Sequence, residues 1–586
     1  MKALYLALAA LPLLGACATI PAVQPDTAVD TPSVLATSVQ TREQAAADPS
    51  EALVSAADPR AAGAGAKILR QGGSATDAAI ATMLALTVVE PQSSGIGGGG
   101  FYVRGNAAGD VITIDGREKA PAAATPAWFT GPDGTPLQYR DAVLTGLSVG
   151  VPGNVALAAN AHRRFGKLAW ADLFAPAIAL AEGGFEVTPR FHEYLGRFKD
   201  RAAASAFGRS RFFTPVGDPL PVGTKVRNPQ LAETLRAIAT GGAAAFYEGT
   251  SAADLADVAA RATPRAERMT AADLAQYAAT PRAPVCGQYR AYRVCGMGPP
   301  SSGATTVYAI LKQLERFDLA SIGANSATFW HLFAESQRLA YADRERYLAD
   351  DDFVAVPVGW LTDANYLASR SALISPDSRM SEVAAGVAPG LAMAPPDGDE
   401  PPEYGTSHFV TRDPDGNAVS YTSTIEGPFG SGLTFGGFYL NNELTDFSFV
   451  AEQDGRPVAN RVEGGKRPRS SMAPTLVYGP DGSLLMAVGA AGGGTIPVQT
   501  AKAIIAAIDF GLPASETLAF PMLYSPGDTI VVEEGTSLVA LTSALEALGH
   551  TVTARALPLK ANAIICEAKG CIGAADPRSE GATVSR

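Results

Sequence analysis

Thr406 stands where the texture of the chain changes. Before it, between Val387 and Tyr404, come five prolines and four acids with almost no apolar periodicity, the composition of an exposed linker open to cleavage. After it, Thr406 to Thr411 reads as a strand, Asp413 to Asn417 as a turn and Ala418 to Ile425 as a second strand. A Thr hydroxyl is a weak nucleophile unless a base lies beside it. A cut between Gly405 and Thr406 would supply that base, because the new α-amine has an ordinary pKa of roughly 7.7–8.0 and is partly neutral near pH 7. Gly405 eases such a cut, since glycine tolerates a strained backbone at the scissile bond. Once cut there, Thr406 would carry its own base, and covalent catalysis of this type needs no cofactor.

Elements able to position Thr406 are legible elsewhere. Asp77 to Val89 (DAAIATMLALTVV) reads as a buried helix stopped at Glu90-Pro91. It runs into Ser93–Phe101 (SSGIGGGGF), a glycine-rich loop leading to a strand around Tyr102–Arg104. The loop lacks a GK[ST] ending and the strand-before, helix-after order of a phosphate loop, so tight packing explains it better. From Ser326 to Leu348 a helical pattern carries Glu335, Arg338, Asp343, Arg344, Glu345 and Arg346, and is expected to present a partly exposed face laced with ion pairs.

Met1-Lys2 is followed by twelve largely apolar residues, Ala3 to Leu14, a length that fits a signal peptide and is too short to span a bilayer. The run closes on Leu14-Gly15-Ala16-Cys17, which resembles a bacterial lipobox. Residues 1–16 are then a signal peptide, Cys17 is lipidated, and residues 17–50 form a tether to a cell-envelope membrane. A plain secretory signal cut near Ala16 or Ala18 is the alternative. Four cysteines remain, in two close pairs: Cys286 with Cys295 and Cys566 with Cys571. Each pair brackets a plausible hairpin, so they read as two local disulfides in an oxidising compartment. Neither spacing is CxxC and the five histidines are scattered, so no metal is expected. Over 586 residues, 46 Lys+Arg stand against 58 Asp+Glu, a net charge of -12 with no basic stripe, which argues against nucleic acid as a partner.

Several stretches carry a family resemblance in combination: DAAIATMLALTVVEPQSSGIGGGGF (77–101), DGREKAP (115–121), GLSVGVPG (146–153), GPPSSG (298–303), YADRERY (341–347), GTSHF (405–409), LNNELTDFS (440–448), GKRPRSSMAPTLV (465–477) and GAAGGGT (489–495). In this order, over nearly the whole mature chain, they resemble the γ-glutamyltranspeptidase (glutathione hydrolase) family of N-terminal nucleophile hydrolases. The resemblance implies an α+β fold, a four-layer αββα sandwich of two stacked, mostly antiparallel sheets flanked by helices. Residues 51–405 and 406–586 would be the large and small subunits of one intertwined domain.

Residue roles follow from the same resemblance. Thr406 is the nucleophile, freed by autoproteolysis, and Thr424 matches the second Thr that supports it. Gly492 and Gly493 match the pair whose N–H groups form the oxyanion hole. A γ-glutamyl donor carries an α-carboxylate, matched by Arg117 with Ser470 and Ser471, and an α-ammonium, matched by Asp446 and Glu443. The acyl group of a glutathione-like donor would pass to water or to an amino acid. Two departures are visible. Glu426 replaces the Asn of the best-known members, and would repel the α-carboxylate unless it turns to the ammonium or is protonated. The segment from Asp446 to Ser470 is short and has no Tyr, so the pocket is expected to lie open and to favour hydrolysis. The alternatives are an acylase of glutaryl or cephalosporin side chains and a non-catalytic envelope lipoprotein.

Overall fold

The computed structural model describes residues 50–390 and 405–586. The signal peptide, Cys17, the tether up to residue 49 and residues 391–404 of the linker lie outside the described residues. The sheet strands, in chain order, are β1 (Leu53–Ala56), β2 (Gly99–Gly105), β3 (Val111–Gly116), β4 (Thr280–Arg282), β5 (Val285–Tyr289), β6 (Tyr292–Gly296), β7 (Ser407–Arg412), β8 (Ala418–Thr424), β9 (Thr475–Tyr478), β10 (Leu484–Ala491), β11 (Lys560–Glu567), β12 (Gly570–Ala575) and β13 (Ala582–Ser585). One antiparallel sheet runs β13-β1-β7-β8-β2-β3-β4 and the other β12-β11-β10-β9-β6-β5. The β7–β8 hairpin that follows Thr406 therefore inserts between β1 and β2, and β13 closes on β1. Both sides of Gly405 contribute to one sheet, so a cut there separates no domain.

The strand period of two sorts β7 and β8 into two faces. Phe409, Val419 and Tyr421 pack with helices α1 (Pro59–Arg70) and α2 (Ala75–Val89) on the outer side. Val410 and Ala418 turn inward and join the core of the second sheet. That sheet is covered in turn by α3 (Gly303–Leu314), α4 (Ala327–Tyr347) and α5 (Ile496–Ile508), which completes the αββα sandwich. Helix α2 is buried on every side, as its unbroken apolar sequence requires. Ser74 and Asp77 close its N-terminus in a capping box.

The glycine-rich loop after α2 packs without room to spare. A Cβ on Gly98 would overlap the carbonyl oxygen of Thr424, and one on Gly97 that of Tyr439. Helix α4 carries the expected ion pairs, but Glu335, Arg338, Asp343 and Arg344 are buried and only Glu345 and Arg346 are partly exposed. Arg338 pairs with Glu335 at 2.8 Å, both buried, and Arg344 Nε donates to Ser302 Oγ at 2.9 Å. Segments crossing α4 need these partners: Met380 N, for example, donates to Glu335 Oε2 at 2.6 Å. The start of the linker is also anchored, with Gly386 N donating to Asp343 Oδ1 at 2.8 Å and Tyr347 Oη to Gly386 O at 2.6 Å. Disulfides join Cys286 to Cys295 across β5–β6 and Cys566 to Cys571 across β11–β12, each between directly opposed residues. Among the described residues no helix is long and apolar enough to cross a membrane.

Candidate active site

Register places Thr406 opposite Thr424. Ser407 pairs with Ser423, so the next step outward brings the two threonines together, and Thr406 Oγ1 donates to Thr424 Oγ1 at 3.1 Å. Thr424 Oγ1 also accepts the amide of Glu426 at 2.8 Å, which holds its lone pairs in place. The amide of Thr406 donates to Ser93 O at 3.2 Å, from the glycine-rich loop. Its carbonyl accepts Lys560 Nζ at 3.3 Å. Lys560 in turn lies 2.8 and 2.6 Å from the Glu90 carboxylate, and Ser407 Oγ donates to Glu90 Oε2 at 2.6 Å. Burial pulls the Lys560 ammonium below its usual range while Glu90 opposes the shift.

The backbone at Thr406 is strained. Its φ is +96°, a conformation β-branched residues rarely adopt. Gly405 is packed so tightly that a Cβ there would overlap the Glu426 carbonyl oxygen. Glycine thus suits the position before Thr406 for space as well as flexibility.

A narrow pocket, with a cavity volume of about 10 Å³, opens beside Thr406. Arg117, Glu426, Glu443, Asp446 and Ser470 supply its polar wall, and Met472 and Ile496 its apolar one. Arg117 leaves the end of β3 with its amide on Asp115 Oδ1 at 2.8 Å. Its guanidinium pairs with Glu443, with Asp446 at 2.5 Å, and with the carbonyls of Arg469 at 2.7 Å and Pro468 at 3.2 Å. Glu443 and Asp446 share one 3₁₀ turn. Asn441 ties that turn to Gly97 O and Gly150 O, both at 2.8 Å, and Asn442 donates to Glu426. Glu426 therefore sits on the acidic side of the pocket, with Tyr139 Oη 3.5 Å away.

The remaining expected residues divide. Ser470 lines the pocket, whereas the Ser471 hydroxyl accepts from Arg344 Nη2 at 2.8 Å. Gly492 and Gly493 have positive φ, +121° and +58°, at the end of β10. They lie between Ala491, paired with Lys560, and Ile496 of the pocket wall. The pocket is narrower than the missing Tyr suggests: Thr406 is 6% exposed and Asp446 5%, and Gly405 lines the pocket beside them. His408 belongs to the core, with Nδ1 2.8 Å from Thr422 Oγ1.

Sequence reading did not single out Glu118, Asn441, Asn442, Tyr139, Glu90 or Lys560 for the site. Glu118 and the asparagines lay inside the motifs DGREKAP and LNNELTDFS, so a signal existed. Glu90 and Lys560, 470 residues apart, had none.

A model of the family described as "Gamma-glutamyltranspeptidase" matches residues 61–585. The chain is 35% identical over 512 residues to the glutathione hydrolase proenzyme of Bacillus subtilis (strain 168), covering 85% of each protein. It is also 35% identical over 522 residues to the acylase ACY 1 proenzyme of Pseudomonas sp. (strain SE83), covering 87% of this chain and 89% of that one. Its fold superposes on a crystal structure of cephalosporin acylase from Bacillus halodurans with a TM-score of 0.78, 26% identity, and coverage of 96% and 99%. Matched over residues 61–585, with the Thr406 hairpin inside the match, the chain belongs to the γ-glutamyltranspeptidase family of hydrolases and acyltransferases.

Proposed function

We propose that the chain is a precursor that cuts itself between Gly405 and Thr406, and that the mature enzyme takes γ-glutamyl groups from glutathione-like donors. The observation that carries this reading is a Thr hydroxyl 3.1 Å from a second Thr, at the mouth of a pocket with one guanidinium and three carboxyl groups. Such a pocket suits a zwitterion. The donor's α-carboxylate takes Arg117 and Ser470, and its α-ammonium takes Glu443, Asp446 and Glu426. Arg117 pairs here with Glu443 and Asp446, so an incoming zwitterion exchanges one set of ion pairs for another.

The α-amine of cut Thr406 accepts the Oγ proton as Oγ attacks the γ-carbonyl. Amides of Gly492 and Gly493 receive the oxyanion, each worth about 2.7–4 kcal/mol in such sites. The leaving amine takes the proton from the Thr406 amine, and a γ-glutamyl ester remains on Oγ. Water or an amino acid then attacks the ester and releases Thr406. Ser471, held by Arg344, steadies the Ser470 segment from behind.

A glutaryl-type acylase is the second reading, favoured by the acylase relative. The three acids weigh against it, since a glutaryl group brings no cation to them. Placement in the cell envelope, with a signal peptide over 1–16, lipid on Cys17 and disulfides formed outside the cytosol, belongs to the same proposal.

Intact mass spectrometry of protein expressed from residue 20 tests the first step. A fragment of roughly 19 kDa beginning at Thr406 and a partner of roughly 40 kDa are expected, and neither in Thr406→Ala. An uncut wild-type chain would sink the reading. Faster turnover of a glutaryl anilide than of a γ-glutamyl anilide would select the acylase.

A further inference from the structure

The pocket holds more acid than its single guanidinium can neutralise. Arg117 faces Glu443 and Asp446, and Glu426 lines the same space. A fourth acid, Glu118, follows Arg117 in the chain and is completely buried. Gly99 leaves it room, for a Cβ there would overlap Glu118 Oε2. Among the described residues no donor from another residue reaches either carboxyl oxygen of Glu118 or Oε2 of its neighbour Glu443, and only partial relief comes from Glu118's own amide, which favours its charged form. Two buried anions cannot face each other in this way without a large penalty. One proton between them satisfies both, with one carboxyl donating to the other.

We propose, on the γ-glutamyl reading above, that Glu118 and Glu443 hold one shared proton in the ligand-free enzyme and that the substrate's α-ammonium displaces it. The O–H bond of the shared carboxyl breaks, the proton passes to water, and the arriving ammonium replaces the positive charge that leaves. Glu118 does not line the pocket and acts through Glu443, so it is a positioning residue that selects for a cation. A ligand without an ammonium leaves the proton in place.

The surroundings support a retained proton. Burial pushes the Glu118 carboxyl up to about 7, against the pull of Arg117 and with a push from Asp446. Burial also raises Glu443 well above the carboxylate range, helped by the charges of Glu118 and Glu426 and opposed by Arg117. The phenols of Tyr247, Tyr277 and Tyr421, raised far above their usual range by burial, face Glu118 as neutral groups. The nearby Asp115 is committed to Arg282 and Arg467.

Calorimetric titration of the self-cleaved enzyme with L-glutamate, in two buffers of low and high ionisation enthalpy, counts the protons. About one proton released per L-glutamate at pH 6, falling towards none at pH 8.5, is expected. Glutarate should release none. In Glu118→Gln the amide donates permanently to Glu443, so L-glutamate should bind with no release. A wild-type enzyme that binds L-glutamate at pH 6 without releasing a proton overturns the proposal, as does the same release from Glu118→Gln. A second readout needs no variant. KM for a γ-glutamyl anilide should fall close to tenfold per pH unit below the ionisation of the pair. A flat KM in an enzyme that cleaves itself and turns over this anilide defeats the shared proton and leaves the functional reading standing. An enzyme without γ-glutamyl turnover defeats the functional reading itself.

Discussion

Thr406 holds a φ of +96° only while Gly405 precedes it, because the angle is defined by the Gly405 carbonyl carbon. Cleavage abolishes that torsion, and strain of this kind costs about 1–3 kcal/mol. On the proposed self-cleavage, part of its drive is thus stored at Thr406. Gly405→Ala should slow the appearance of the Thr406 fragment at least tenfold, since its methyl has no space beside Glu426. An unchanged time course on a denaturing gel would contradict this. The Arg117 fork reaches Glu443, Asp446 and the carbonyls of Pro468 and Arg469 at once, which an ammonium cannot copy. Arg117→Lys should raise KM for a γ-glutamyl anilide about 10- to 100-fold, as for a lost bidentate pair, with a smaller fall in kcat. Steady-state kinetics decide it: a kcat loss at constant KM would move Arg117 from binding to chemistry.

At the scale of elements, one ion pair ties three layers together. Glu90 caps the end of α2, Lys560 opens β11 in the second sheet, and both reach Ser407 at the start of β7 in the first. Removing the cation alone strands a buried carboxylate. Lys560→Met should therefore destabilise the protein by about 3–5 kcal/mol, whereas Lys560→Met with Glu90→Gln should recover most of the loss. Urea unfolding of both variants is the check, and a double variant no more stable than Lys560→Met would show that the pair is not a unit. The β7–β8 hairpin was legible in sequence because alternation and the Asp413–Asn417 turn are local signals. Helix α4 was legible as a helix, but its exposure was not. Charge alternation looks the same on a wet face as on one crossed by other segments, and only those segments settle which applies.

For the whole molecule, the sheet interface carries a pH response. His408 lies fully buried between the sheets, against Gly489, and burial pushes its pKa down to about 3. The unfolded chain takes up a proton near pH 6.5 that the folded chain refuses. Stability from this residue is thus complete above pH 6.5 and declines as pH falls from 6.5 towards 3, by about 2 kcal/mol at pH 5. His408→Asn should flatten the change in urea midpoint between pH 7 and pH 5; an equal slope in both proteins would assign the acid response elsewhere.

What the chain determined by itself was local and ordered: the Gly405–Thr406 junction, the hairpin, the buried α2, the glycine-rich loop and the run of motifs, all written in near-neighbour periodicity and residue type. What tertiary structure decided was convergence. It placed Thr424 on Thr406, turned Glu426 to the acidic wall and Ser471 to Arg344, and set Glu118 against Glu443. Such contacts join residues up to hundreds of positions apart. Their energies come from shared burial, and burial exists only once the two sheets close over them.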